Sequence, residues 1–352
     1  MSKDTAKAAH AIDLSALNEY LSTACPEVGH ATAADKFAGG QSNPTFKLTT
    51  DKGVFVLRRQ PPGKLLKSAH AVDREFRVIN ALQGIDVPVP KAYHLCEDTN
   101  VIGSMFYIMA FVDGAIYWNS ALPEIESTQT RTAMYDEMNR VLAALHSVDI
   151  EKAGLSDYGK PGSYFERQLS RWTKQYRASE LEHIEEIESL ITYLENNLPQ
   201  DDGQVSLVHG DFRLDNMMFD MSDALHPNVV AVLDWELSTL GHPYADLAYQ
   251  CMQLRLPSDI AHAAGLGGLD RAALGIPSEK AYIESYCQRR GIAGIENWTF
   301  YLAFSFFRLA AILQGVVKRA HDGNASSEKA MQLGAMVRPL AQIANQTIHQ
   351  DA

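Results

Sequence analysis

A short polar segment between two apolar stretches restricts the fold of this chain more than any other feature of its sequence. The segment contains His209, Gly210 and Asp211, and Asn216 follows Asp211 after four intervening residues. The second apolar stretch then ends on Asp234. A carboxylate at the end of a buried strand is costly to desolvate unless a partner compensates its charge. The pattern therefore predicts a common partner for Asp234 and the polar segment.

A hard cation is the partner that best accounts for Asn216 and Asp234. Mg²⁺ is coordinated by oxygen atoms and keeps coordination positions for water and for substrate phosphates. Asp211 would then accept the proton of a hydroxyl group while Asn216 holds the metal, as in the catalytic loop of kinases. An aspartate at a strand end is, taken alone, more often a turn or cap residue. The prediction of a metal site therefore depends on the combined pattern.

The secondary-structure pattern changes near residue 112. Before it, apolar alternation predicts several strands, including residues 54–59 and 101–112, and one main helix over residues 68–82. After it, helical periodicity dominates, with two short buried strands at 205–208 and 229–233. We therefore predict an α+β fold with a strand-rich part, residues 1–112, and a larger helical part, residues 113–352. The helices predicted in the larger part are 128–147, 164–197, 245–254, 279–290, 297–321 and 326–350.

Two motifs resemble those of the aminoglycoside phosphotransferase and choline kinase family. They are HGDFRLDNMMF (209–219) and LDWE (233–236). Within this family, the segments VLRRQPPG (56–63) and FRLAAILQG (307–315), together with the first motif, are similar to the kinase-like domain associated with acyl-CoA dehydrogenases. The resemblance implies a two-lobed protein-kinase-like fold, ATP and Mg²⁺ as cofactors, and phosphoryl transfer to a small-molecule hydroxyl. It places nucleotide binding in residues 1–112 and the catalytic loop and substrate site in residues 113–352.

The resemblance also implies roles for individual residues. Asp211 would be the catalytic base, and Asn216 and Asp234 would bind the metal. Arg58, on the third strand, would bind phosphate and contribute to catalysis, and Glu75 on the following helix would orient it. Further nucleotide contacts are implied in the loop after the first strand and in the hinge between the lobes, at Gly40, Gln41, Ser42, Asn43, Met109 and Phe111.

Arg58 departs from the family pattern, in which this position is usually lysine. Arginine is bulkier than lysine, but it is always charged and can bind phosphate through two N–H groups. If the strand register were shifted by one residue, Arg59 would take this place instead. A nucleotide-binding protein without catalytic activity is the alternative that Arg58 raises. The presence of Asp211, Asn216 and Asp234 argues against it.

The sequence leaves three interpretations of the phosphate acceptor open. The similarity to the domain associated with acyl-CoA dehydrogenases implies a hydroxyacyl-CoA, and Arg308, in an apolar stretch, is then a candidate substrate contact. An internal ion pair is the alternative role for Arg308. An aminoglycoside acceptor would instead need carboxylates, and the acidic run 180–188 is either such a subsite or an exposed helix face. The third reading is a non-catalytic nucleotide-binding partner of an acyl-CoA dehydrogenase.

Composition restricts the partners and the compartment. The chain has 31 basic and 43 acidic residues and a net charge of −12, which argues against a general nucleic-acid binder. The most apolar stretch, 300–313, is interrupted by Arg308, so we expect no membrane span. The N-terminus lacks the apolar core of a signal peptide, and the four cysteines form no C-x-x-C pair. We therefore expect a cytoplasmic protein with reduced thiols.

Overall fold

The computed structural model describes residues 12–37, 43–61, 70–258, 265–323 and 332–350. Its first part consists of two helices and five strands, which are α1 (Leu14–Ala24), β1 (Ala31–Lys36), β2 (Thr45–Thr50), β3 (Gly53–Arg59), α2 (Val72–Ala81), β4 (Ala92–Cys96) and β5 (Phe106–Ala110). The five strands form one antiparallel sheet in the order β1-β2-β3-β5-β4.

The second part is mostly helical. Its elements are α3 (Thr128–His146), α4 (Tyr164–Ser179), α5 (Glu185–Asn196), β6 (Ser206–Val208), β7 (Met217–Asp220), β8 (Asn228–Val232), β9 (Thr239–Gly241), α6 (Tyr244–Met252), α7 (Arg271–Leu274), α8 (Glu279–Arg290), α9 (Trp298–His321) and α10 (Val337–Gln350). Strand β6 pairs with β9, and β7 pairs with β8. The loop after β6 and the loop after β8 carry the two sequence motifs. The α+β, two-lobed protein-kinase-like architecture is the one predicted.

The two faces of the sheet have different environments because successive side chains of a strand point in opposite directions. Leu57 lies in the small core beneath α1, whereas Val56 joins the main core. Arg59 is 3% exposed, and its guanidinium lies 5.4 Å from the centre of the Phe46 ring in the small core. Arg58 therefore faces the opposite side, toward α2. This is the strand register on which the prediction for Arg58 depends.

Helix α1 illustrates how local signals place an element on this sheet. The Oδ1 atom of Asp13 accepts hydrogen bonds from the amides of Ser15 and Ala16, both at 3.0 Å. These bonds satisfy amides that the first turn of a helix leaves without partners. Leu17 and Leu21, one turn apart, are fully buried against the sheet. Asp13 is therefore the N-cap residue of α1.

Several predicted boundaries were wrong. The helix predicted over 164–197 is two helices, α4 and α5, because the backbone at Glu180 is extended (φ −59°, ψ 127°). The strand predicted over 101–112 is shorter and begins at Phe106, after a turn. Strands β4, β7 and β9 were not predicted. Helix α2 begins at Val72 and α10 at Val337, and the predicted starts at residues 68 and 326 lie outside the described residues.

Helix α9 corrects the expectation that no stretch approaches the length of a membrane span. It is long and apolar enough to cross a membrane when judged by length and composition alone. However, 72% of its most apolar 18-residue window is buried inside the fold, where α9 packs against α4, α6 and α10. A helix that is apolar on most sides is buried either in a core or in a membrane. The packing here is that of a core helix.

Candidate active site

The loop that follows β6 is held by a buried aspartate on α6. The two carboxylate oxygens of Asp246 accept hydrogen bonds from the backbone amides of His209 (2.6 Å) and Gly210 (2.8 Å). The Nε2 atom of His146, on α3, lies 3.4 Å from the same carboxylate. Burial acts to raise the pKa of Asp246, but His146 and the amide hydrogen bond lower it overall. Asp246 is therefore an anchor of the catalytic loop.

Gly210 and His209 fix the shape of this loop. Gly210 has a left-handed backbone (φ +83°), and a Cβ atom there would lie 2.7 Å from the carbonyl oxygen of Leu237. A larger residue would therefore clash as well as strain the backbone. The Nε2 atom of His209 donates to the carbonyl of Leu233 (2.8 Å), and its Nδ1 atom accepts from the amide of Asp211 (3.2 Å). His209 is thus a structural residue that joins the two motifs.

Asp211 is oriented by two neighbouring side chains. The Nδ2 atom of Asn216 donates to Oδ2 of Asp211 (3.0 Å) and to its backbone carbonyl (2.9 Å). The Nε atom of Arg213 lies 3.7 Å from Oδ1 of the same carboxylate. Burial raises the pKa of Tyr249 on α6, and the charge of Asp211 adds to that rise. The carboxylate of Asp211 is therefore held in one orientation while part of it stays exposed.

Asp234 follows β8 in an unusual backbone conformation. Its φ is +64° and its ψ is 60°, in the left-handed region that few residues other than glycine adopt. Its side chain is 37% exposed, and Oδ1 lies 2.7 Å from Nη2 of Arg58. The amide of Leu233 donates to the backbone carbonyl of Asn216 at 2.8 Å. This bond keeps the two predicted metal-binding residues next to each other.

Arg58 links Asp234 to Glu75. Its Nε atom lies 2.7 Å from Oε2 of Glu75, which is 1% exposed, while Arg58 itself is 12% exposed. Burial acts to lower the pKa of Arg58, but Glu75, Tyr107 and Asp234 raise it overall. Burial raises the pKa of Glu75, and Arg58 opposes this rise. The result is a charged guanidinium shared by one buried and one partly exposed carboxylate.

Asn43 and Tyr107 complete the surroundings of Glu75. The Nδ2 atom of Asn43 donates to Oε1 of Glu75 (2.6 Å), and the Tyr107 hydroxyl donates to Oε2 (3.2 Å). Oδ1 of Asn43 lies 3.1 Å from Nδ1 of His70. Asn43 was predicted to contact the nucleotide, but its side chain is fully buried and supports Glu75 instead. The buried carboxylate of Glu75 requires hydrogen-bond donors in addition to Arg58, and Asn43 supplies one of them.

A cavity of about 410 Å³ opens beside Arg58, between the sheet and the larger part of the fold. Its volume is within the range of sites for drug-sized ligands. The predicted hinge residues Met109 and Phe111 line it, and so do the polar residues Arg58, Asn216 and Asp234. Its apolar walls also include Val56, Ile79, Pro90, Val112, Ile116, Met218, Val232 and Leu233. The predicted positions Gly40, Gln41 and Ser42 lie outside the described residues.

The polar end of this cavity fits a hard cation. Asn216 and Asp234 both contribute to the lining, and both offer oxygen atoms. The amide nitrogen of Asn216 is engaged by Asp211, which leaves the amide oxygen as the ligand atom of that side chain. One oxygen of Asp234 contacts Arg58, and the carboxylate has a second. Such a set of oxygen donors is what Mg²⁺ takes, with water or phosphate oxygens in its other positions.

Arg308, the candidate substrate contact, lies behind the catalytic loop. Its Nη2 atom donates to the backbone carbonyl of Gly210 at 2.6 Å. Its guanidinium carbon lies 5.4 Å from the ring centre of Tyr249 and 5.9 Å from that of Trp172. The alternative expectation, an ion pair with a carboxylate, was wrong. A carbonyl and two aromatic faces account for this arginine in its apolar setting.

The acidic run 180–188 is used within the fold. Glu188 forms an ion pair with Arg177 of α4, with Nη2 2.6 Å from Oε2. Glu186 accepts from Arg338 of α10 at 2.7 Å. These pairs tie α4, α5 and α10 together. Glu182 and Glu185 of the same run are 73% and 79% exposed, so the run combines an exposed face with ion pairs to the neighbouring helices.

Two site residues escaped the sequence analysis. Tyr249, on α6, had no motif to mark it, and its ring packs against Arg308, which contacts the loop. Asp215 is not a solvated loop acid, because its Oδ2 atom lies 2.6 Å from Nη2 of Arg213 and its side chain is 15% exposed. Burial raises the pKa of Asp215. The positive charge of Arg213, two residues earlier in the sequence, is the signal that could have indicated this ion pair.

Comparison with known proteins identifies a family and two close relatives. The model of the phosphotransferase enzyme family matches residues 34–281. A Mus musculus protein named acyl-CoA dehydrogenase family member 10 is 48% identical over 309 residues, which are 88% of this chain and 28% of that protein. The chain thus spans less than half the length of that relative. A Ralstonia eutropha protein, provisionally described as an aminoglycoside phosphotransferase, is 48% identical, with a TM-score of 0.87 over 97% of this chain and 99% of the other.

A more distant solved structure shares the fold. It is a thermostable mutant of aminoglycoside phosphotransferase APH(4)-Ia in ternary complex with ADP and hygromycin B. The sequence identity is 13%, and the TM-score is 0.61 over 95% of this chain and 98% of the other. At this identity the likeness concerns the fold alone.

Proposed function

This chain belongs to the phosphotransferase enzyme family, and from that membership we propose that it is an ATP- and Mg²⁺-dependent enzyme that phosphorylates a small-molecule hydroxyl. The observation that carries the proposal is the convergence of Asp211, Asn216 and Asp234 beside Arg58. Catalysis of phosphoryl transfer consists mainly of alignment and charge stabilisation. The site offers a cation, a set of metal-binding oxygens and an oriented carboxylate within one cleft.

The residues divide this work among them. The apolar cavity lined by Met109 and Phe111 would bind the nucleotide base. The distant relative of the same fold is in complex with ADP, which supports a nucleotide as the ligand. Arg58 would bind the phosphates, oriented by Glu75. Mg²⁺ held by Asn216 and Asp234 would supply charge neutralisation of the phosphates. Asp211 would accept the proton of the acceptor hydroxyl as its oxygen bonds to the γ-phosphorus and the bond from that phosphorus to ADP breaks.

We propose a hydroxyacyl-CoA as the acceptor. The name of the mouse relative connects sequences of this kind with acyl-CoA dehydrogenases. The ion pairs of Glu186 and Glu188 count against a polycationic acceptor, because those carboxylates already have partners. The description of the Ralstonia eutropha relative favours the competing candidate, an aminoglycoside. A non-catalytic partner of an acyl-CoA dehydrogenase is the third possibility that an assay must address.

One assay separates these candidates. The purified protein would be incubated with Mg-ATP and either 4-hydroxyacyl-CoA or kanamycin, and phosphorylated product would be measured by mass spectrometry. We expect phosphorylation of the thioester at its hydroxyl. Asp211→Asn keeps the size of the side chain but removes the proton acceptor, so kcat should fall by about 10²–10⁴-fold, with ATP affinity little changed.

Asp223→Asn is the matched control, because Asp223 is an exposed aspartate of the same lobe that pairs with His226. It should keep full activity. Phosphorylation of kanamycin without phosphorylation of the thioester would overturn the acceptor. Phosphorylation of neither, with ATP still bound, would favour the non-catalytic reading.

A further inference from the structure

Three cationic side chains form a stripe along α4. Arg167, Arg171 and Lys174 are spaced by four and three residues, so they lie on one face of the helix. The opposite face is buried, with Phe165, Leu169, Trp172 and Tyr176 in the core. Together with Glu166 and Ser170, the three cations line an open depression of about 590 Å³. We call Arg167, Arg171 and Lys174 the basic stripe.

No carboxylate in the described ranges of the chain forms an ion pair with the basic stripe, although Glu166 lines the same depression. Arg167 donates to the backbone carbonyls of Lys160 (2.6 Å) and Pro161 (3.4 Å). Arg171 packs over the Trp172 ring at 5.2 Å. Arg177, one turn further along the helix, is by contrast paired with glutamates. In a chain of net charge −12, a cluster of cations left in this state indicates an anionic ligand.

A buried tryptophan connects the stripe to the catalytic loop. The Trp172 ring contacts Arg171 on the stripe and Arg308 on α9, at 5.2 and 5.9 Å. Arg308 in turn donates to the carbonyl of Gly210, the residue before Asp211. The stripe and the residue before Asp211 are therefore joined through Trp172 and Arg308 inside the fold.

We propose that the basic stripe binds the phosphate groups of the acceptor. The acceptor would be a thioester with a phosphorylated nucleotide end, which lies across α4 while its acyl hydroxyl reaches Asp211. This inference rests on the proposed function and adds the place where the substrate's charge is bound. Arginine binds phosphate through two parallel N–H groups, and lysine adds a point charge. The long arm of such a thioester accounts for the separation between the stripe and the catalytic carboxylate.

The test compares a full and a truncated acceptor. The double variant Arg171→Gln/Lys174→Gln would be assayed with 4-hydroxyacyl-CoA and with the same acyl group on pantetheine, which lacks the nucleotide phosphates. We expect KM for the CoA thioester to rise about tenfold, equivalent to about 1.4 kcal/mol, with kcat unchanged. KM for the pantetheine thioester should not change. The difference should shrink at high ionic strength, because exposed charges are screened.

Lys152→Gln/Lys280→Gln is the matched control, since these lysines are 86% and 85% exposed and lie away from α4. Equal KM values for the CoA thioester in the wild type and the stripe variant would overturn the inference and leave the proposed function intact. If neither thioester is phosphorylated, the proposed function fails instead. In that case, calorimetry with coenzyme A alone tests the inference. If the wild type binds coenzyme A and the stripe variant binds it more weakly, the inference is supported. If the wild type does not bind coenzyme A, or if both proteins bind it equally, the inference is overturned.

Discussion

Arg58 is the residue on which most of the site's electrostatics depend. It contacts the buried carboxylate of Glu75 and the partly exposed carboxylate of Asp234, both at 2.7 Å. Removal of one member of a buried ion pair leaves the other charge without compensation, which commonly costs about 3–5 kcal/mol. Here Asn43 and Tyr107 still donate to Glu75. We therefore place the expected cost near the lower end of that range.

We predict that Arg58→Ala destabilises the fold by about 3 kcal/mol and raises KM for ATP, because both Glu75 and the phosphates lose their cation. Arg58→Lys should retain part of the activity, since lysine supplies the charge but not the paired N–H geometry. Chemical denaturation and steady-state kinetics would measure the two effects. Arg59→Met is the control, because Arg59 lies in the small core on the opposite face. A larger effect of Arg59→Met than of Arg58→Ala on KM for ATP would contradict the assignment.

At the scale of single elements, the catalytic loop derives its position from helices rather than from its own strands. Strand β6 has only three residues. The carboxylate of Asp246 on α6 binds two loop amides, and His146 on α3 lies beside it. Both side chains are buried. The loop geometry is therefore coupled to the packing of two helices.

Asp246→Asn tests this coupling and its dependence on pH. An asparagine NH₂ group would face a backbone amide, so we predict a loss of about 2–4 kcal/mol at pH 7 and a lower kcat. The pKa of Asp246 in the folded protein lies below its ordinary value of 3.8. The ionised group thus contributes stability above pH 3.8, and this contribution is lost as the pH falls through the folded-state pKa.

The measurement is denaturant unfolding of both proteins between pH 7 and pH 3, with the exposed residue Asp35 changed to asparagine as the control. The difference in unfolding free energy between wild type and Asp246→Asn should be largest at neutral pH. It should diminish below pH 3.8. A difference that stays constant down to pH 3 would contradict the pKa shift.

The elements that sequence reasoning predicted are the long ones with strong periodicity. Helix α3, with its apolar face, and helix α8, between Ser278 and Gly291, agree with prediction within a residue. Strands β4, β7 and β9 were missed because they are three to five residues long and lack full alternation. The break after α4 carries no glycine or proline. This break results from tertiary packing, and the periodicity of a single sequence carries no information about such packing.

The same limit applies to the site. The sequence spacing of Asp211, Asn216 and Asp234 was sufficient to predict that they lie together, because this spacing reflects a recurring loop geometry. The resemblance added Arg58 and Glu75. The packing of Arg308 on Tyr249 and its hydrogen bond to Gly210 depend on how α6 and α9 pack, over long sequence separations. No local pattern encodes such contacts.

At the scale of the whole molecule, the cavity lies between the two lobes, so a ligand there contacts both. A ligand that binds only the folded state stabilises it by RT ln(1 + [L]/Kd), about 2.7 kcal/mol at one hundred times Kd. We predict that Mg-ATP raises the melting temperature of the wild type by several degrees at this concentration. Asp234→Ala should lose the Mg²⁺-dependent part of this shift. Differential scanning calorimetry with ATP alone, Mg²⁺ alone and both would measure it.

The Asp234→Ala variant must first be shown by circular dichroism to have an intact fold. Asp220→Ala serves as its control, because Asp220 ends β7 outside the cavity lining. Asp220→Ala should keep the full shift. An unchanged Mg²⁺-dependent shift in Asp234→Ala would contradict the metal assignment.

The bridge from Arg58 to Asp234 makes metal and nucleotide mutually dependent. An incoming Mg²⁺ meets a carboxylate that already has a guanidinium partner at 2.7 Å, so the two cations compete for it. A nucleotide that draws Arg58 toward its phosphates lowers this competition and thereby raises the affinity for the metal. By thermodynamic reciprocity, bound metal raises the affinity for the nucleotide by the same factor. Cooperative loading of the site follows from an exchange of partners around one arginine, without any distant regulatory element.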